Sequence, residues 1–305
     1  MLIGLTEALA FAEKRQVALA AVNVPFFEAL LAVIKVAEAT ATPVILQHAE
    51  VHEHLMSIDD IGPVMRVLAE RSSAPFVLHV DHASSAEYVA RGFEVGFNSA
   101  MIDGSSLSFE ENVALTSEVV KLAGERGFGI EGELGVMTGN ENGNPSQGVA
   151  DASLYTDPQQ AREFVTRTGV TALAASFGTV HGLYRRKPEL NYGLIDRLRA
   201  ATGVPLVMHG GSGLSSPEYR ACVHHGVRKV NVDTDNRLAM TGAIRTVFAE
   251  KPDEFDPRKY LGPAREAMKQ VCVARMTAFG QAGHAGEITP ITLEEMAARY
   301  KQGLE

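Results

Sequence analysis

At 305 residues and 46% hydrophobic content, the chain can bury a large core, and α/β barrels of this length commonly form one domain. A formal net charge of -9, with Arg185, Arg186 and Lys187 as only a short basic cluster, excludes a nucleic-acid surface of basic stripe and interleaved aromatics. Cys222 and Cys272 are too few for a disulfide framework and lack zinc-ribbon spacing.

The N-terminus, MLIGLTEALAFAEKRQ, places acidic residues inside an amphipathic helical pattern and lacks the basic-then-apolar order of a signal peptide. No apolar run reaches spanning length, so no membrane partner and a cytoplasmic location are expected. Eight strand segments then follow, at 18–23, 43–49, 75–81, 99–103, 129–133, 172–177, 205–210 and 229–233. Segments 28–40, 58–71, 85–96, 110–127, 157–168 and 192–202 between them carry apolar residues at helical spacing. Strands alternating with helices imply parallel βαβ units, and eight units imply a closed (β/α)8 TIM barrel. The expected organisation is a single barrel domain over 1–305, with 236–305 as a C-terminal helical extension that includes a strong helix at 264–279.

One connection breaks the pattern. After Glu133 comes a long polar loop rich in glycine and asparagine, from Gly135 through Gly139, Asn140, Asn142, Gly143, Asn144 and Pro145, where a βα-loop usually takes a few residues. At a barrel mouth such a loop is either a disordered insertion or a lid, and above a metal site the lid is expected.

Catalytic residues of barrels sit at the C-terminal ends of different strands. Here those ends carry Asn23, Asp81 with His82, Asp103, Glu133, His181, His209, and Asn231 with Asp233, more polar or ionisable groups than folding requires. His82, His181 and His209 close the runs PFVLHVDH, ALAASFGTVHG and PLVMHGGSG. Three neutral imidazoles converging at one mouth, with a fourth position open, suit a catalytic zinc ion. The backbone amides of Gly182, Gly210, Gly211 and Ser212, with the hydroxyls of Ser212 and Thr234, suit a phosphate nest at the later strands. His79 shares strand parity with Asp81 and is expected to orient it. His48, His52 and His54 read as rim or helix residues, and His224 and His225 as solvated helix surface. No lysine stands at the C-terminal end of a predicted strand, so a Schiff-base mechanism lacks its nucleophile.

The motifs DHASS at Asp81, MIDGSSLSFEENV at Met101, EGELG at Glu131, TDPQQAREFV at Thr156, GTVHGLY at Gly178, HGGSG at His209, NVDTD at Asn231 and DPRKYLGPA at Asp256 resemble the class II, zinc-dependent ketose-bisphosphate aldolases. The resemblance runs in register from about Leu5 to Gly283 and is closest to the fructose-bisphosphate members. It implies one catalytic zinc per subunit on His82, His181 and His209, with Asp81 as general acid and base at the C4 oxygen. It implies that Asn231 contacts the enediolate and that a glutamate of the loop, with Glu141 as the match, exchanges the proton on dihydroxyacetone phosphate. Asp103 and Glu133 match carboxylates near a second cation position, and as side chains they equally suit orienting the histidines or Asp81. Asn23, Asp233 and Thr234 fall with the glycines as substrate and phosphate contacts, and Arg258 matches an arginine that a neighbouring subunit delivers to the distal phosphate.

The implied reaction is the reversible cleavage of fructose 1,6-bisphosphate to dihydroxyacetone phosphate and glyceraldehyde 3-phosphate through a zinc-stabilised enediolate, in a homodimer or homotetramer. Ala49 stands where the family often has serine, and Arg185 where it often has lysine. A tagatose-1,6-bisphosphate aldolase, or an aldolase joining dihydroxyacetone phosphate to another aldehyde, therefore stays open, although Asp233, Thr234 and Asp235 follow the fructose pattern. On the residues alone, a zinc hydrolase using Asp81 to activate water and a non-catalytic phosphosugar-binding or structural protein also remain.

Overall fold

A computed structural model describes residues 1–135, 152–182, 184 and 187–302, the last three as helix backbone. Eight parallel strands close into a barrel in sequence order: β1 (Leu19–Asn23), β2 (Val44–Ala49), β3 (Phe76–Ala83), β4 (Ser99–Ile102), β5 (Gly129–Leu134), β6 (Ala172–Ala175), β7 (Leu206–Met208) and β8 (Val227–Val232). The first strand pairs with the last, Ala21 lying opposite Asn231. All eight lie where the sequence pattern places them, with ends moved by at most two residues.

Helix α1 (Leu5–Arg15) precedes the barrel; α2 (Phe27–Thr40), α3 (Ile58–Arg71), α4 (Ala86–Glu94), α5 (Phe109–Gly124), α6 (Pro158–Thr168), α7 (Tyr192–Thr202) and α8 (Ser216–His225) each lead from one strand to the next. Their starts are chemically marked. Ser108 and Glu111 form a reciprocal capping box on α5, and Asp157 caps α6 just before Pro158. Beyond β8 the chain forms α9 (Thr234–Glu250), α10 (Pro257–Ala278) and α11 (Leu293–Gln302). Arg275 of α10 bonds Asp235 of α9 at 2.7 Å, and Gln281 reaches back to accept from the backbone amide of Ala20 at 2.6 Å, tying the extension to β1.

Strand parity sorts the side chains into two cores. Val44, Leu46, Phe76, Leu78 and Val80 face the helices. Leu19, Ala21, Ile45, Val77, Ala172, Ala174 and Val207 fill the barrel from inside, together with Ile3, Leu5 and Leu9 from the N-terminal segment. Helix α1 therefore plugs the bottom, and fully burying a leucine such as Leu5 or Leu9 contributes about 1.5–3 kcal/mol. With the floor sealed by apolar side chains, the barrel's polar interior residues collect in its upper half. A cavity at the mouth brings several of them within reach of a ligand.

Candidate active site

The acid at the centre of the mouth is Asp81, 2% exposed. Its Oδ2 accepts from Asn23 Nδ2 at 2.9 Å and Gln47 Nε2 at 3.0 Å, and its Oδ1 from Asn231 Nδ2 at 3.3 Å. Amides from β1, β2 and β8 thus fix a carboxylate borne by β3. Burial disfavours its charge, yet the adjacent His82 and the ammonium of Lys229 outweigh burial and hold the carboxyl well below its usual range. His79 does not perform the orienting role expected of it: it lies deeper on the same strand, with Nδ1 2.9 Å from Ser99 Oγ and Nε2 3.6 Å from Glu131 Oε2. Burial and Lys229 push its pKa down to about 3, so it stays neutral.

A regular strand would turn Asp81 and His82 to opposite faces. Here the β3–β4 register shifts between Val80 and Ala83, and His82 adopts a left-handed backbone with φ 46°. That conformation costs a non-glycine residue about 1–3 kcal/mol and brings both side chains to the mouth. His82 Nδ1 bonds Asp103 Oδ2 at 3.0 Å, while Asp103 Oδ1 accepts from the backbone amide of Ser105 at 3.0 Å and its hydroxyl at 2.6 Å. Burial alone would raise the Asp103 pKa, but these bonds to His82 and Ser105 set it below the usual carboxylate range.

His209 follows β7 directly. His181 is not at a strand end as expected, because β6 stops at Ala175 and six further residues carry the chain to the imidazole. The packing of that segment on the β7 loop demands glycine: Gly210 has φ +61°, and a Cβ there would lie 2.3 Å from the carbonyl oxygen of Val180.

The three imidazoles meet. Ring centroids of His82 lie 5.3 Å from His181 and 4.6 Å from His209, those of His181 and His209 are 5.7 Å apart, and one nitrogen from each lies within 4.8 Å of the others. Buried His209 gives Nε2 to the carboxylate of Glu131 at 2.7 Å, so Nε2 carries the proton and Nδ1, which makes no hydrogen bond, offers its lone pair. Burial, His82 and Lys229 keep this imidazole neutral, the form a metal requires. A second set, His82 with Asp103 and Glu133, also meets within 4.8 Å, and Glu133 Oε2 is 3.7 Å from His209 Nδ1. The donor set fits a divalent ion with nitrogen preference.

Beside the histidines, the cavity is lined by Asn23, Asp81, Gly182, Gly210, Gly211, Ser212, Asn231, Asp233 and Thr234, all singled out by sequence. The N-terminus of α9 opens onto it, and Ser212 Oγ accepts from the backbone amide of Asp235 at 3.3 Å. The helix dipole at this point suits an anion. Ala49, Val51, His52 and Arg237 complete the lining. Arg237, missed by the sequence reading, pairs with Asp233 at 2.8 Å; its position one turn into α9 was the available signal. Of the other histidines, His48 is fully buried within β2 rather than on the rim, His52 reaches the cavity, and His54 is bound to the carbonyl of Val51 at 2.8 Å. His225 is only partly solvated, paired with Asp196 at 2.9 Å. Arg258 is 89% exposed, paired with its neighbour Asp256 and outside this chain's cavity. Glu141, Arg185 and the expected lid lie outside the described residues.

Sequence reasoning also missed the layer beneath the site. Glu131 and Lys229 are wholly buried and ion-paired at 2.8 Å inside the barrel. Each stands two residues before a rim residue it was possible to name, Glu133 and Asn231, and so shares its face. The ammonium is thus engaged with a carboxylate below the mouth.

Fold and site together define a (β/α)8 protein with a metal-capable histidine cluster and a helix N-terminus in one mouth. The model of the class II fructose-bisphosphate aldolase family matches residues 4–284, and the chain belongs to that family, whose members are aldehyde-lyases with a divalent metal acting on phosphorylated sugars. It is 39% identical to the fructose-bisphosphate aldolase of Giardia intestinalis, over 98% of this chain and 99% of that one. It is 36% identical to that of Geobacillus stearothermophilus, over 94% and 99%. The solved YdjI aldolase of Escherichia coli K12 superposes with a TM-score of 0.82 at 32% identity, covering 93% of this chain and all of that one. Among the described residues no helix is long and apolar enough to cross a membrane.

Proposed function

We propose that this chain catalyses the reversible aldol cleavage of fructose 1,6-bisphosphate to dihydroxyacetone phosphate and glyceraldehyde 3-phosphate. The observation that carries this is the convergence, at one barrel mouth, of three imidazoles, the amide-clamped Asp81 and a helix N-terminus suited to an anion. His82, His181 and His209 would hold one zinc ion per subunit, and Asp103 and Glu133 would orient these ligands or share His82 with a second cation. When bound, zinc supplies a Lewis acid for the ketone and adjacent hydroxyl oxygens, offsetting the negative charge that cleavage leaves on the three-carbon fragment.

The remaining work falls to the chain's own groups. The amides of Gly182, Gly210, Gly211 and Ser212, with Thr234 at the start of α9, receive the phosphate of that fragment. Asp81 takes the proton of the C4 hydroxyl as the C3–C4 bond breaks, its electron pair passing to C3, and returns the proton in the condensation direction. Asn231, already bonded to Asp81, is placed to donate to the nascent enediolate, and Asn23 to position the substrate hydroxyls. The proton that then reaches C3 is assigned to Glu141 by the family resemblance. Arg258 in the first turn of α10 and Phe255 just before that helix, 89% and 88% exposed, suit a surface offered to a neighbouring subunit of a homodimer or homotetramer. The buried thiols Cys222 and Cys272 suit the reducing cytoplasm.

The test is a coupled assay of the purified protein on fructose and tagatose 1,6-bisphosphates, with and without a chelator. Chelator-sensitive release of dihydroxyacetone phosphate from the fructose epimer is the expected result. Equal or better turnover of the tagatose epimer would reassign the substrate, and hydrolysis without triose phosphate would remove the aldolase assignment.

A further inference from the structure

The barrel interior holds two full charges where apolar filling was available. Glu131 of β5 and Lys229 of β8 have no exposed surface, while their neighbours in the barrel interior, Leu19, Ile45, Val77 and Val207, are apolar. A buried ion pair is weak evidence for stability, because desolvation commonly cancels its attraction and a hydrophobic replacement is often neutral or better. Its retention therefore calls for another account, and the second bond that each charge makes supplies one.

Glu131 Oε2 meets Lys229 Nζ at 2.8 Å while Oε1 takes His209 Nε2 at 2.7 Å. Lys229 Nζ also donates to Asn231 Oδ1 at 2.7 Å, which compels the amide nitrogen of Asn231 to face the other way, toward Asp81 Oδ1 at 3.3 Å. One continuous chain, His209–Glu131–Lys229–Asn231–Asp81, thus runs across the barrel from β7 through β5 and β8 to β3. The carboxylate dictates which nitrogen of His209 is protonated, and the ammonium dictates which end of the Asn231 amide reaches the acid.

We propose that the Lys229–Glu131 pair is a positioning device that holds a metal ligand, His209, and the acid–base group, Asp81 with Asn231, in one fixed relation. Neither charged residue touches substrate in this role. Glu131 acts through His209, and Lys229 acts through Asn231 while neutralising Glu131. This inference rests on the metal-ligand and acid–base assignments above.

Three proteins test it: Glu131→Gln, Lys229→Met, and the double variant Glu131→Gln/Lys229→Met, which removes both charges of the pair together. Each is measured for zinc affinity by chelator competition without substrate, for kcat and KM, and for thermal unfolding. Partners of metal-bound histidines typically contribute 10–100-fold in affinity or activity, so Glu131→Gln should bind zinc about 10–100-fold more weakly. Lys229→Met should lose kcat by about the same factor, because Asn231 is free to flip. The double variant should regain thermal stability yet stay impaired in both zinc affinity and kcat. Wild-type zinc affinity and kcat in a stable double variant would overturn the proposal, leaving the pair a structural element. A measurement on the native holoenzyme stands apart from folding: 15N spectra of labelled histidine should show His209 protonated at Nε2, and protonation at Nδ1 instead would overturn it as well. His209→Ala separates the underlying assignment, since a variant that keeps wild-type zinc affinity refutes His209 as ligand, whereas loss of zinc there alongside a normal double variant refutes only the positioning role.

Discussion

His79 offers a sharp test of how the barrel interior is built. The imidazole is fully buried beside Ser99, Glu131 and Lys229, and burial followed by the Lys229 charge lowers its pKa from 6.5 to about 3. In the unfolded chain it titrates near 6.5, so between pH 6.5 and 3 the unfolded state holds a proton that the folded state does not. Stability contributed by neutral His79 is therefore complete above pH 6.5 and is lost as pH falls toward 3. Each pH unit in that window costs about 1.4 kcal/mol, or about 2 kcal/mol on going from pH 7 to pH 5. His79→Gln keeps a group able to bond Ser99 and does not titrate. The assay is urea unfolding of metal-free wild type and variant at pH 7 and pH 5, comparing how much each loses rather than absolute stability. Wild type should lose about 2 kcal/mol more than the variant. Equal losses would show that His79 takes up its proton in the fold as easily as in water, and the account of its burial would be wrong.

Four further outcomes are expected. Asp81→Ala should retain zinc but lose cleavage by about 10²- to 10⁴-fold, and a near-normal kcat would remove it as acid and base. Asp103→Asn should weaken zinc binding by about 10–100-fold through the loosened ring of His82, measured by chelator competition, with unchanged affinity counting against that role. His181→Ala should lose both metal and turnover, and full activity in a verified metal-free preparation would end the metal-site assignment. Glu141→Ala should slow exchange of the dihydroxyacetone phosphate proton with solvent while leaving zinc affinity nearly unaltered; unimpaired exchange would transfer the role to another residue.

Much of the site was legible because barrel logic is periodic. Strand segments in fixed alternation with helices bring their C-terminal ends to one rim, so Asn23, Asp81, His82, Asp103, Glu133, His209 and Asn231 could be gathered without coordinates. The deeper layer was missed because attention went to strand ends, although parity alone places Glu131 with Glu133 and Lys229 with Asn231. His79 was given the wrong partner for a related reason: parity states which face a side chain occupies, but not which of several polar groups at that height it bonds.

Other features had no signal in local pattern. Adjacent residues in a strand point apart, so the joint use of Asp81 and His82 depends on the left-handed backbone at His82 and the shifted β3–β4 register, both held by neighbouring strands. The tautomer of His209 is set by a carboxylate 78 residues away, and the direction of the Asn231 amide by a buried ammonium. By itself, then, the sequence determined the barrel and the polar residues gathered at its rim, because periodicity and turn chemistry are properties of short segments. Orientation, protonation and pairing were decided only by tertiary structure, because they depend on which groups from distant strands share a space without water.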